Sequence, residues 1–307
     1  MTIGKFIKYI REKRGFIRTD LEECCSEKTL YLIESDKTTP TTKVLVLLSE
    51  KLHVNFLLYL NKFSFSKSLI SNEEAKELAN LNAARDYEEL YKRSSSMNVD
   101  DYEESISDIQ LIRYYQARAS YYLHTDYRVV LESIEEILSL SLKSQDFGEF
   151  TYEFLSIIEI KTILLKAFVL LDNKMYEECY EYLKDFVLDD VDPRFFPVEV
   201  LVDIMKMNYN KMLARISYSI DDDITKELDT AIKLCKRCSM YDQLAKYYFL
   251  YTRYYNSKGD MEECYRFCYL YIGLCEVQEN DKVKDMMINM FKDEYDYDHK
   301  KMVISKL

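Results

Sequence analysis

Apolar residues recur at helical spacing almost from the first residue. Ile3, Phe6, Ile7 and Ile10 fall on one side of a 3.6-residue period, which predicts a helix over Ile3–Arg14, closed by Gly15. A short second helix is expected over Thr19–Cys25, with Leu21 and Cys24 inward. Ser26 is placed to cap a third over Lys28–Glu34, with Leu30 and Ile33 inward. "DKTTPTT" reads as a turn broken by Pro40, followed by helices over Thr42–Leu52 and Asn55–Leu60. Five short helices within residues 1–63 suit a compact bundle of the kind that binds DNA.

Beyond residue 71 the apolar period lengthens into a loose repeat. "RDYEELY", "TDYRVVL", "KMYEECY", "DDITKEL" and "GDMEECY" each open a helical run and follow a longer one. With Tyr87, Tyr127, Tyr176, Ile224 and Met261 as equivalents, the intervals are 40, 49, 48 and 37 residues. That is looser than the roughly 34 of a regular tetratricopeptide array but within the range of helical repeats. The first helices are expected near Asn72–Ala83, Ser107–Leu123, Phe154–Leu171, Val200–Ser217 and Tyr241–Asn256, with Asp281–Phe291 as a cap. "DDVDPRFFPVE" holds two of the three prolines and is the clearest internal break. The expected organisation is a head over 1–63, a linker over 64–71 and a helical-repeat body over 72–307.

Composition supports this reading. Five glycines and three prolines in 307 residues leave few places to interrupt a helix, so the fold class is all-α with short connections. Charge divides the chain. Residues 1–62 carry 11 Lys/Arg against 8 Asp/Glu, whereas the remainder carries 31 against 46. An acidic body repels nucleic acid, so any DNA contact falls to the head. No secretory h-region and no bilayer-length apolar run is visible, so a cytoplasmic protein without a membrane partner is expected. The eight cysteines then read as thiols, and the lone Cys235/Cys238 CxxC does not make a zinc site. Cys24-Cys25 leaves an intermolecular disulfide open as a minor reading. No glycine-rich phosphate loop, HExxH or GxSxG is present, and neither an enzyme nor a cofactor is expected. The acid pairs Glu88-Glu89, Glu177-Glu178 and Glu262-Glu263 open second helices, where they complement the helix dipole.

The run "RGFIRTDL…SEKTLYLIESDKTTPTTKVLVLLSEKLHVNFLLYL" resembles the helix-turn-helix of phage-repressor-type regulators. Within them it is most similar to the Rgg/PlcR/PrgX (RRNPP) peptide-pheromone-responsive transcription regulators, and "HVNFLLYLNKF" looks most like the PrgX and Rgg members. The features are Arg14-Gly15, Leu21, Ile33-Glu34-Ser35, Pro40, Leu48 and Leu52. The chain departs from the pattern at Cys24-Cys25-Ser26, where a small turn residue is usual and the segment is shorter. The match covers the first fifth of the sequence; the rest agrees only in pattern.

In such a domain the third helix lies in the major groove. Lys28, Thr29 and Tyr31 are the candidates for bases or nearby phosphates, and Arg18 and Lys37 for phosphates. Glu34 is expected to be structural. Two copies on a palindromic operator would hold these helices about 34 Å apart. For the body, the resemblance implies a short signalling peptide bound in a concave groove lined by the first helices. Candidate contacts are Asn208, Lys211 and Arg215, sharing one helix face, with Arg118 and Tyr122 on an earlier helix and Arg253 and Asn256 on a later one. The many tyrosines, 28 in all, are expected to pack between helices first. The expected protein is a homodimeric, quorum-sensing transcription regulator. One alternative is a DNA-binding regulator controlled by a protein partner or by no ligand. A second is a helical-repeat adaptor that inhibits a partner enzyme.

Overall fold

The computed structural model describes residues 2–57, 70, 72–102, 105–142, 155–193, 196–218 and 223–298. Among these there are fourteen α-helices and no strand. They divide into two compact units, one of Met1–Asp86 with Ser96–Ile109 and one of Tyr87–Ser95 with Gln110–Leu307.

The first unit opens with α1 (Ile3–Lys13), a single 3₁₀ turn (Arg18–Leu21), α2 (Glu27–Glu34) and α3 (Thr42–Lys51). Hydroxyls start each helix. Thr2 accepts from the Lys5 N–H at 3.3 Å, Ser26 from Thr29 at 3.2 Å and Thr41 from Val44 at 3.3 Å. Gly15 ends α1 at φ +76°, a conformation that favours glycine. Ile3, Ile7, Leu21, Leu30, Ile33, Leu45, Leu48, Leu52 and Phe56 form one buried cluster. The expected second helix is shorter than Thr19–Cys25. Asp20 turns back to accept from the Ile17 N–H at 2.8 Å, which favours a tight turn over a continued helix. The expected fifth helix lies largely outside the described residues, as does the 64–71 linker apart from Ile70. The unit also holds α4 (Asn72–Ala84).

The second unit runs through α5 (Tyr87–Ser95), α6 (Ile106–Tyr122), α7 (Tyr127–Ser139), α8 (Ile157–Asp172), α9 (Tyr176–Leu183), α10 (Val198–Tyr218), α11 (Thr225–Arg237), α12 (Tyr241–Lys258), α13 (Met261–Val277) and α14 (Asp281–Tyr295). The repeated motifs open α5, α7, α9, α11 and α13 as the spacing predicts. Among the longer first helices, α8 lies against α10, and α10 against α12. The second helices α9 and α11 fill the gaps beside them. At the far end α14 packs on α13 through Cys264, Cys268, Ile272, Met287 and Phe291, covering the last repeat. No helix among the described residues is long and apolar enough to cross a membrane.

Six of the connectors share one geometry. After α8, Lys174 adopts φ +60°, its N–H bonds Leu171 O at 3.0 Å, and the Met175 N–H bonds Leu170 O at 2.9 Å. Arg85, His124, Ser239, Gly259 and Glu279 repeat that left-handed turn after α4, α6, α11, α12 and α13. These are Schellman turns, and only one of the six uses glycine. A side chain held left-handed costs about 1–2 kcal/mol. Lys174→Gly should therefore stabilise the body by about 0.5–1 kcal/mol, once glycine's freer unfolded chain is discounted. Chemical denaturation checks this, and an unchanged or lower midpoint would show that Lys174 carries another role.

Candidate functional site

In the first unit one buried carboxylate organises the exposed face. Glu34, expected to be structural, is buried at the end of α2. It accepts from Arg11 Nε at 2.5 Å and Nη2 at 3.2 Å, and from Arg18 Nε at 2.8 Å. Arg11 also donates to Phe16 O at 2.8 Å. Hydrogen bonding to Glu34 holds the Arg11 guanidinium above its usual pKa. One carboxylate thus ties α1, the 3₁₀ turn and α2 together.

The tie places Arg18 beside α2. Its guanidinium lies 5.3 Å from the centre of the Tyr31 ring, and Lys37 Nζ lies 5.8 Å from the same ring. Tyr31 is itself 45% exposed, and Lys28 is exposed one turn earlier on α2. Arg18, Lys28, Tyr31 and Lys37 therefore gather on one surface. Thr29 differs: it is half-buried, and its hydroxyl is shared with that of Ser26 at 2.8 Å. Cys24 is buried in the core beside Cys25, and burial raises both thiols. No group of metal-ligating side chains occurs among the described residues.

In the second unit the nominated residues of α10 turn away from solvent. Asn208 is buried, and its Oδ1 accepts from the Tyr247 hydroxyl at 2.9 Å. Lys211 is buried, donating to Phe186 O at 2.8 Å and pairing with Glu227 at 3.2 Å. Burial lowers the Lys211 pKa. Arg215 donates to Glu227 at 2.6 Å and lies 5.8 Å from the Tyr180 ring. All three hold α10 to its neighbours. A buried polar stripe has the same spacing as an exposed one, so spacing alone does not separate them.

The solvent-facing stripe of α10 lies on the opposite side, where Val202, Lys206, Tyr209 and Leu213 are half-buried. It continues onto α12 through Asp242, Lys246, Phe249, Arg253 and Asn256, spaced as one face. Arg253 and Asn256, nominated from the sequence, sit on it. On α8 it continues through Lys161, Leu164 and Phe168. Lys161 and Lys206 donate to the two oxygens of Asp203, at 2.7 and 2.9 Å. Burial opposes ionisation of Asp203, but the lysines prevail and lower its pKa. Toward α6, Phe168 meets Tyr121 edge-on at 5.8 Å, and Arg118 lies 5.5 Å from the Tyr122 ring, which stacks on Tyr87 at 4.1 Å. A recess of about 380 Å³ opens there, lined by Tyr121, Tyr122, Tyr127, Asp172 and Asn173. Sequence reasoning missed Lys161, Lys206 and Lys246. The available signal was a lysine recurring within otherwise apolar first helices.

No protein-family model matches the chain, and no curated protein matches it in sequence. Solved structures do. Bacillus thuringiensis PlcR in complex with the peptide PapR7 and DNA aligns over 94% of this chain and 99% of its own, at 16% identity and a TM-score of 0.64. The Streptococcus dysgalactiae SHP pheromone receptor Rgg2 aligns over 96% and 100%, at 11% identity and 0.61. PrgX in complex with iCF10 aligns over 94% and 95%, at 15% identity and 0.59. This chain has the fold that these three structures share. The resemblance carried by the first fifth of the sequence thus extends, as architecture, along nearly the whole chain. The shared fold sets where helices lie; which side chains face outward on them is this sequence's own.

Proposed function

We propose that the protein is a cytoplasmic, homodimeric transcription regulator that binds DNA through its N-terminal head and a short signalling peptide through the helical-repeat unit. In this reading residues 1–63 are the DNA-binding domain, 64–71 the linker and 72–307 the peptide-binding and dimerisation domain, and the protein is not an enzyme. The observation that carries it is the RRNPP fold along the chain, together with cations set on the exposed side of α2. Lys28, Tyr31 and Lys37 form the reading face, with Arg18 at its edge; Thr29 contributes through the helix cap. Two heads, one from each subunit, meet successive major grooves of a palindromic operator. On the body, the ligand surface is the exposed stripe of the first helices, which includes Arg118, Tyr122, Arg253 and Asn256. Asn208, Lys211 and Arg215 support it from behind. A bound peptide shifts the heads only as far as it prefers one arrangement of the dimer.

Duplex retardation at several salt concentrations tests the head. Affinity should fall steeply with salt, and Lys28→Ala should weaken binding about tenfold while flattening the salt slope by about one ion. Unchanged affinity and slope would remove Lys28 from the interface. Calorimetry with short peptides tests the body.

A further inference from the structure

The exposed stripe carries a charge that the rest of the body does not. Beyond residue 62 acids outnumber bases, 46 to 31. On the stripe of α8, α10 and α12, however, Lys161, Lys206, Lys246 and Arg253 meet only Asp203 and Asp242. Asp203 is taken up by Lys161 and Lys206, and Asp242 accepts from the Gln278 amide at 2.6 Å. Lys246 and Arg253 are half-buried, and neither has a carboxylate within 4.0 Å among the described residues. Burial lowers the Lys246 pKa, the neighbouring charge of Lys206 lowers it further, and Asp242 offsets them only in part. Half-buried cations with no carboxylate in direct contact are destabilising, and a bound anion would offset that cost.

Their spacing is also informative. Lys246 and Arg253 stand seven residues apart on α12, about 10.5 Å along a helix. In an extended chain every second side chain shares a face, so residues four apart stand about 13 Å apart with one side chain between them. The long stems of Lys246 and Arg253 take up the difference. Between the two cations the stripe presents Phe249, half-buried and packed on Phe291 at 6.4 Å between ring centres. Arg253 can grip a carboxylate with two parallel N–H groups, whereas Lys246 offers a point charge reinforced by Lys206.

We propose that this stripe selects an extended peptide bearing two carboxylates four residues apart, one held by Lys246 and the other by Arg253, with an apolar side chain midway between them over Phe249. The peptide's own C-terminus can supply one of the two. The inference rests on the peptide-receptor reading above and adds the charge pattern of the ligand.

The test uses the full chain and two pools of fluorescent heptapeptides. Both pools vary over Leu, Val, Ile and Phe, with Asp at positions 2 and 6 in one and Asn at those positions in the other. Anisotropy should show the Asp pool binding at least tenfold tighter, about what one charge-assisted hydrogen bond contributes. Lys246→Met and Arg253→Met, which keep the apolar stems, should each cut the ratio of Asp-pool to Asn-pool affinity several-fold. Equal binding of the two pools by the unaltered protein would overturn the charge pattern and leave the peptide reading standing. Binding by neither pool would overturn both. Displacement of the Asp pool by a short duplex would assign the cations to phosphate and also overturn the proposal. The two pools are compared on the unaltered protein, so their difference can be read even if a variant folds poorly.

Discussion

Replacing Glu34 with alanine should unfold the head while leaving the second unit folded. The side chains of Arg11 and Glu34 are 7% and 1% exposed, so the substitution strands a guanidinium away from water with only Glu12 and the Phe16 carbonyl beside it. Removing one partner of a buried ion pair costs about 3–5 kcal/mol, a large share of what holds a small domain together. Arg18 would lose its carboxylate at the same time, and with it the position beside Tyr31. Amide exchange should therefore accelerate across α1 and α2, and duplex binding should be lost. The asymmetry of buried ion pairs supplies a control. Replacing Arg11 and Glu34 together by Met and Leu removes both charges and should restore most of the protection in α1. If Glu34→Ala exchanges like the unaltered protein, the buried pair contributes little and does not hold the head together.

The second large effect is expected at Gly4. A methyl group there would sit 2.0 Å from the carbonyl oxygen of Ile33 and 2.8 Å from Asp36 Oδ1. The nearer obstacle is backbone at the end of α2, so no rotamer change relieves it. Alanine brings a gain of about 1 kcal/mol in helix propensity. Overpacking of a rigid contact typically costs about 1–3 kcal/mol, and a backbone overlap this deep belongs at the upper end or beyond. The clash prevails, and Gly4→Ala should destabilise the head by about 2 kcal/mol. Exchange of the α1 amides in mild denaturant measures it. Protection equal to that of glycine would mean that α1 slides freely over α2.

These residues mark where reading the sequence was sufficient and where it was not. Helices were legible because they depend on local period and on scarce breakers. The start of α12 at Tyr241 and the cap at Ser26 follow from residues within one turn. The helix ends were less legible, since residues such as Arg85 and Lys174 take the left-handed turn that glycine normally marks. The close approach at Gly4 was not legible, because it depends on an oxygen 29 positions away. The exposed stripe was half legible. Arg253 and Asn256 lie on the exposed stripe, whereas Asn208 and Lys211 satisfy groups inside the protein. A lysine bonded to a buried carbonyl and one left facing water look alike until the partner helix is in place.

The six left-handed connectors have a mechanical consequence. With only two to four residues between successive helices at these corners, there is no slack to absorb a tilt. A helix pushed sideways by something lodged against Lys246 must drag its neighbours, as links do in a watch-strap, so a local disturbance on α12 becomes a change in curvature of the stack rather than a dent in it.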